Sequence, residues 1–137
     1  MTRDSGTWET VSTLRSTSRM RLKKIITKHF PFKGYTSLTV FPFVFIRKSS
    51  VERFNSVAER HEITHALQQI ETLWIFFLLI YCLEYIIKLP LCRFSHDRAY
   101  HSISFEREAY LWQYDAGYNS TRHHYAWRHF VFKIKEK

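Results

Sequence analysis

The pentapeptide His61-Glu62-Ile63-Thr64-His65 contains the residues of this chain best suited to chemistry. Two histidines four residues apart lie one helical turn apart, so they can bind a single metal ion. Glu62 is turned by about 100° from His61, so its carboxylate can reach a water molecule beside the metal without binding the metal. This HExxH motif predicts a zinc site with Glu62 as the general base.

The residues around the motif favour a helix. Ser49 and Glu52 have the spacing of a capping box, and apolar residues then recur at helical intervals as far as Ile70. Neither Gly nor Pro interrupts residues 50 to 70. We therefore expect a regular helix that begins near Ser49 and carries both histidines on one face.

A third metal ligand is expected downstream, because a catalytic zinc usually has three protein ligands and one water. Glu106 and Glu108 follow Ser104 in a segment that is typical of a helix start, with Ser104 as the N-cap. Residues two apart on a helix point to nearly opposite sides, so only one of these glutamates would face the metal. Helix geometry does not choose between them, and acidic residues are in any case favoured at a helix N-terminus.

The segment Glu106-Arg107-Glu108-Ala109 resembles the E-x-E-A-D signature of CAAX-type prenyl proteases and their bacterial heat-shock relatives, which belong to the gluzincin metallopeptidases. This resemblance implies that Glu106, the first glutamate, is the third zinc ligand. The segments RHEITHALQQIE, LWIFFLLIYCLEYIIKL and YHSISFEREAYLWQ are also similar to a set of small bacterial HExxH proteins of uncharacterised function. That similarity extends from about Tyr35 to Tyr125.

The chain departs from the signature at Tyr110, where the prenyl proteases have an aspartate. A carboxylate there would steady a ligand histidine by hydrogen bonding. Asp97 or Glu108 could take that role instead. The hydroxyl of Tyr110, or that of Tyr100, could stabilise an anionic tetrahedral intermediate.

Length and composition predict one domain that is mostly α-helical with a small β element (an α+β fold). The chain has 137 residues, 18% of them aromatic, and only 3 glycines, which suits a densely packed helical body. We expect a minimal zincin-like domain over residues 21–137, with an HExxH helix, a hydrophobic central helix and a downstream helix that carries the ligand glutamate. A last helix is expected from about Arg122 to Phe132.

Residues 36–47, TSLTVFPFVFIR, predict a strand, which Pro42 either confines to a sheet edge or splits in two. The resemblance to zincin-like peptidases implies that such an edge aligns an extended peptide substrate by strand addition. The alternative is a short strand that only covers the helix.

The segment from Leu73 to Leu91 is apolar on all sides over a run of about 11 residues, whereas a bilayer span needs about 20. Glu84 and Lys88 interrupt it with a spacing that predicts a surface ion pair. We expect a central core helix or a hairpin seated in the membrane interface rather than a transmembrane helix.

The net charge of +9 arises largely from basic residues near the two ends of the chain. No nucleic-acid-binding motif lies between them, so we expect no nucleic-acid partner, whereas contact with an anionic membrane surface fits this distribution. Residues 1–20 are basic and rich in Ser and Thr and lack the apolar stretch of a signal peptide. We interpret them as a flexible tail, with Met20 as a second candidate start, on a cytoplasmic or membrane-associated protein.

These features together predict a gluzincin-like zinc metallopeptidase. His61, His65 and Glu106 would hold Zn²⁺, Glu62 would take the proton of the attacking water, and Tyr110 would assist at the oxyanion. The substrate would be a peptide or protein. The alternative is a catalytically inactive helical domain that binds a metal, a membrane surface or a partner.

Overall fold

The computed structural model describes residues 20–135. The predicted tail, apart from Met20, and the last two residues therefore lie outside the described part of the chain. Within it, a small mixed sheet precedes a series of helices, and the prediction of a mostly α fold with a minor β element is confirmed.

The sheet has three strands in the order β1 (Lys23–Thr27), β3 (Phe43–Arg47) and β2 (Ser37–Val40). β1 is parallel to β3, and β2 is antiparallel to it. The predicted strand is thus split at Pro42, and its first half forms a sheet edge. Val44 and Ile46 of the central strand are buried with Ala66 of the HExxH helix.

The HExxH helix, α1, spans Ser56–Glu71. It begins later than the sequence indicates, because Lys48–Arg53 form a 3-10 helix and the backbone leaves the helical region at Phe54. The side chain of Asn55 caps α1 by accepting a 3.0 Å hydrogen bond from the Ala58 N–H. The expected start near Ser49 is therefore wrong, although both histidines do lie in a regular helix.

The hydrophobic helix, α2, spans Ile75–Leu91. Phe77 packs with Ile103, Phe105 and Trp127 in a second core cluster, but most of α2 is exposed, so the alternative of a central core helix is wrong. Among the described residues no single helix is long and apolar enough to cross a bilayer. Only α1 and α2 taken together have the length and apolar composition of a membrane span, and the chain bends by 112° between these two helices.

The predicted ion pair between Glu84 and Lys88 forms, with 2.6 Å between Nζ and Oε2. The prediction that it lies on the surface is wrong, because both residues are buried. Glu84 also accepts hydrogen bonds from the backbone N–H of Ser104, at 2.9 Å, and from the Ser104 hydroxyl. The lysine also donates to the carbonyl of Ser102. The two charges of α2 therefore point into the protein and join this helix to the segment that follows.

Three short helices complete the fold: α3 (His96–Ser102), α4 (Ser104–Trp112) and α5 (Tyr118–Thr121). Ser104 is the first residue of α4 rather than its N-cap, because its hydroxyl is engaged with Glu84. The predicted last helix is wrong: the backbone is extended at Arg122 and left-handed at Tyr125, and only Ala126–Phe130 form a 3-10 helix. α1 lies between β2 and α4, an arrangement that determines what its two polar faces meet.

Candidate metal centre

α1 and α4 bring His61, His65 and Glu106 together in the interior. The two Nε2 atoms are 3.1 Å apart, and each lies 3.3 Å from Oε2 of Glu106. All three side chains are buried, with His61 and His65 at 7% exposure and Glu106 at 3%. Histidine nitrogens and a carboxylate oxygen at this spacing form a group that could hold a metal ion.

The size of this triangle fits zinc. Zinc bonds of about 2.0–2.1 Å in a tetrahedral arrangement place neighbouring ligand atoms about 3.3 Å apart, close to the edges of 3.1, 3.3 and 3.3 Å in this triangle. Oε2 of Glu106 is also buried, and apart from the two Nε2 atoms at 3.3 Å it has no polar partner in the part of the chain that the structure describes. Buried carboxylate oxygens are normally satisfied, so this atom is suited to a cation at the centre of the triangle.

Each histidine of the triangle is oriented by a carboxamide. Nδ1 of His61 lies 3.1 Å from Oε1 of Gln113, and Nδ1 of His65 lies 2.9 Å from Oε1 of Gln68. The orientation of Gln68 follows from its amide nitrogen, which donates to the Phe105 carbonyl and to a carboxylate oxygen of Glu108. Its Oε1 therefore accepts a hydrogen bond from Nδ1–H of His65, so Nε2 is directed at the centre.

The charge of the group is shared between His65 and Glu106. Burial alone would lower the pKa of His65, but the Glu106 carboxylate outweighs burial and raises this pKa to about 9. Burial would likewise raise the pKa of Glu106, yet the two histidines hold it well below its usual range. The other oxygen of Glu106 accepts a 2.9 Å hydrogen bond from the Tyr81 hydroxyl, which fixes the carboxylate plane.

Glu62 lies on the face of α1 that meets β2. Its carboxylate accepts hydrogen bonds from the hydroxyls of Ser37, at 2.7 Å, and Thr39, at 2.5 Å, one on each oxygen. Glu62 is 6% exposed, and it lines the same cavities as His61. Because each carboxylate oxygen has a second lone pair, Glu62 is held in position and still has sites at which it can accept a proton.

The two candidate glutamates have different partners. Glu108 is fully buried and bonded to Arg122, to the Tyr118 hydroxyl and to Gln68, so it is committed to an ion pair away from the triangle. It reaches His65 only through Gln68. Glu106 is therefore the glutamate at the centre, and the proposed direct contact of Glu108 with a ligand histidine is not present.

Asp97 does not steady a ligand histidine either, because its side chain is 74% exposed and lies 3.2 Å from His101. The ring of Tyr110 packs edge-on against that of His61, with 4.4 Å between centroids. Burial, followed by the charge of Glu106, raises the pKa of Tyr110 to about 12, so its hydroxyl stays protonated and able to donate near neutral pH. Burial also raises the pKa of Tyr100, which lines the same cavity.

Two cavities meet at the site, and His61 and Glu62 line both. One, of about 470 Å³, is lined mostly by residues with polar side chains, among them Lys33, His101 and Gln113. The other, of about 540 Å³, reaches His65 and Glu106 and is lined mainly by apolar groups: Phe32, Leu38, Phe77, Leu78, Ile86. Both volumes lie in the range of small-ligand sites.

Sequence reasoning missed five of the groups that support this site. These are the two glutamines, Tyr81 and the hydroxyls of Ser37 and Thr39. Only Gln68 had a local signal, since a residue three positions after His65 on a helix is its neighbour.

Comparisons with protein-family models, with curated proteins and with solved structures gave no match for this chain.

Proposed function

We propose that this protein is a zinc-dependent hydrolase that cleaves peptide bonds in the manner of the gluzincins. The observation that carries the proposal is the triangle of two imidazole nitrogens and one carboxylate oxygen, sized for zinc, with the carboxylate of Glu62 beside it. Among the described residues this group has three members. Structural zinc sites are usually closed by four protein ligands, whereas catalytic sites have three and leave a position for water.

Zinc in such a site supplies Lewis acidity, which lowers the pKa of water and polarises a carbonyl group. Glu62 takes the proton of the attacking water, and the hydroxyls of Ser37 and Thr39 keep its carboxylate in place during that transfer. Both hydroxyls can rotate from donor to acceptor, so they accommodate the protonated acid as well. The same carboxyl group then delivers the proton to the leaving amine.

Tyrosines that line the polar cavity stabilise, by hydrogen bonding, the negative charge that develops on the carbonyl oxygen. Tyr110 packs on His61 and stays protonated, so its hydroxyl is the donor we assign to this role, with Tyr100 as the second candidate. Tyr81 has a different task, because its hydroxyl is already bonded to Glu106.

Peptide binding at the edge strand is restricted to one end of β2. The carboxamide of Gln69 donates to the Thr39 carbonyl and accepts from the Phe41 N–H, both at 2.8 Å, so it covers that end of the strand. The end near Tyr35 and Ser37 lines both cavities. A substrate added as a further strand would therefore pair there, next to Glu62.

The metal assignment is tested by elemental analysis of the purified protein with its His61→Ala and Glu106→Ala variants. We expect about one zinc per chain in the wild type and loss of zinc in both variants. His101→Ala is the matched control, since His101 lines the polar cavity outside the triangle and its loss should leave the zinc content unchanged. A wild-type protein that stays free of zinc after zinc is supplied would contradict the proposal.

The catalytic assignment is tested with Glu62→Gln, which keeps the size of the side chain and its ability to accept hydrogen bonds but removes the base. We expect the zinc content to be unchanged and the rate of peptide hydrolysis to fall by at least about 100-fold. Mass spectrometry of a peptide mixture incubated with the protein measures that rate. Hydrolysis at the wild-type rate by this variant would show that Glu62 is not the base.

A further inference from the structure

α2 has an inverted distribution of polarity. Its exposed side chains are all apolar, and we call this surface the apolar face: Ile75, Phe76, Leu78, Leu79, Cys82, Leu83, Ile86, Ile87, Pro90, Leu91. The two charged residues of the helix, Glu84 and Lys88, are buried and paired with each other. A helix on the surface of a water-soluble protein normally presents the opposite arrangement, with charges outward and an apolar stripe inward.

The apolar face continues beyond both ends of the helix. Leu73 and Trp74 precede it, and Phe94 follows it, with exposures of 73%, 41% and 75%. Leu73, Trp74, Arg93 and Phe94 all have positive φ angles, between 54° and 60°. This conformation costs a non-glycine residue about 1–2 kcal/mol, and glycine would adopt it without that cost. Both ends of the helix thus have positions at which the backbone favours glycine. The chain has large, exposed apolar side chains at these positions instead.

The apolar face is too large to be an ordinary surface feature. It runs along 17 residues of helix, about 25 Å at 1.5 Å per residue, and nearly half of the exposed large apolar side chains of the described residues lie on it or at its ends. Contiguous apolar surface of this extent marks a site of contact with a protein or a lipid phase. A 17-residue helix is also shorter than the stretch of about 20 residues that spans a bilayer, so a lipid contact would run along the membrane surface.

Charge decides between a lipid surface and a second copy of the chain. Between Leu73 and Phe94 the one exposed charged side chain is Arg93, next to the end of the face, and the whole chain carries a net charge of +9. Two copies with this charge repel each other, whereas an anionic bilayer attracts each of them. Trp74, at the opposite end from Arg93, is a residue type that prefers the boundary between lipid and water.

From these observations we propose that the apolar face of α2 seats this protein on an anionic membrane surface, with the helix lying in the plane of the bilayer interface. The buried pair of Glu84 and Lys88 removes from this side of the helix the charges that would oppose burial in lipid. The proposal is independent of peptide hydrolysis, because it concerns a surface that an inactive protein would also present.

Flotation of the full chain with phosphatidylglycerol-containing vesicles tests the proposal. Leu79 and Leu83 lie on the apolar face and line neither cavity, with exposures of 60% and 58%. We expect the wild type to float with the vesicles, and we expect Leu79→Glu and Leu83→Glu each to weaken binding by at least about tenfold. Ile26→Glu is the matched control, because Ile26 is equally exposed, at 58%, but lies on β1 and not on the apolar face, so this variant should bind like the wild type.

Three results would overturn the proposal: no flotation of the wild type, flotation unaffected by the glutamates on α2, or equal binding to phosphatidylcholine vesicles, which would remove the assignment of an anionic surface. A dimer in sedimentation equilibrium that Leu79→Glu converts to a monomer, with flotation unchanged, would assign the face to a second copy. If a variant lost its fold by circular dichroism, Ile87→Glu, at a position 53% exposed, would replace it. Zinc content and hydrolysis are measured separately, so failure here leaves the metal assignment intact.

Discussion

The two histidines of the triangle are hydrogen-bonded by neutral carboxamides, whereas the sequence left Asp97 or Glu108 open as the partner of a histidine. Gln113 and Gln68 accept from Nδ1 of His61 and His65, respectively. A neutral acceptor orients the imidazole ring as a carboxylate would, but it adds no negative charge to the ligand. Glu106 is therefore the one anionic member of the triangle.

This arrangement predicts how metal affinity depends on Gln113. Gln113→Ala removes the acceptor from His61 and should weaken zinc binding by about 10–100-fold, measured by competition with a chromophoric chelator. Gln113→Glu restores an acceptor and adds charge, so its affinity should equal or exceed that of the wild type. An alanine variant with wild-type affinity would show that the hydrogen bond at Nδ1 has no influence on the metal.

At this scale the sequence predicted the three residues of the triangle but not the groups that support them. The spacing of His61 and His65 determines that they share a helix face, so their proximity followed from the helix alone. Gln113 lies 52 residues beyond His61, and its contact depends on how α4 ends against α1. Tertiary contacts of this kind leave no periodic signal in one chain.

Among the elements, α1 buries polar side chains on both sides. His61, His65 and Gln68 face α4, while Glu62 and Gln69 face β2. The apolar residues used to predict the helix lie mostly elsewhere on it, and Ile70 is 45% exposed. Periodicity therefore identified the helix correctly but not its buried face, because the interior that it meets is itself polar.

Arg122, which directly follows α5, joins α1 to α4 through buried charge. Its guanidinium bonds Glu71 at the end of α1 and Glu108 on α4, and all three side chains are 5% exposed or less. Arg122→Met would leave two carboxylates buried without a counter-charge, so we expect the free energy of unfolding to fall by about 3–5 kcal/mol in urea titrations.

The matched control is Lys24→Met, which breaks an exposed ion pair with Glu59 whose side chains are 49% and 36% exposed. Solvent screens that pair, so its loss should change the free energy of unfolding by less than about 1 kcal/mol. Equal effects of the two substitutions would show that the cluster around Arg122 does not stabilise the fold.

The pair of Glu84 and Lys88 shows the same division between what spacing determines and what packing determines. Their separation of four residues predicted the contact, which forms. It did not predict the side of the helix on which the pair lies, because that depends on Ser104, 20 residues beyond Glu84, whose N–H and hydroxyl bind this carboxylate.

For the whole molecule, a metal at the triangle would join α1 to α4 across the interior. A ligand that binds only the folded state stabilises it by about 2.7 kcal/mol at a free concentration 100 times Kd. We therefore expect added zinc to raise the Tm of the metal-free protein and a chelator to reverse the change, as followed by circular dichroism.

Glu106→Gln is the control for this shift, since it removes the anionic ligand with little change in size. Its Tm should not respond to zinc, whatever its value without the metal. An equal rise in both proteins would place the stabilising zinc at another site.

The meeting of a polar and an apolar cavity at His61 and Glu62 has a consequence for selectivity. A molecule that binds across both cavities would bind best if its two halves differ in polarity. A hydrophilic half would lie beside Lys33 and His101, and an apolar half beside Leu38 and Phe77. In the proposed peptidase, discrimination of this kind would depend on amphiphilic character on the two sides of the scissile bond rather than on any one side chain. We expect peptides that are hydrophilic throughout, and peptides that are apolar throughout, to be cleaved more slowly than peptides whose residues change from hydrophilic to apolar at the scissile bond.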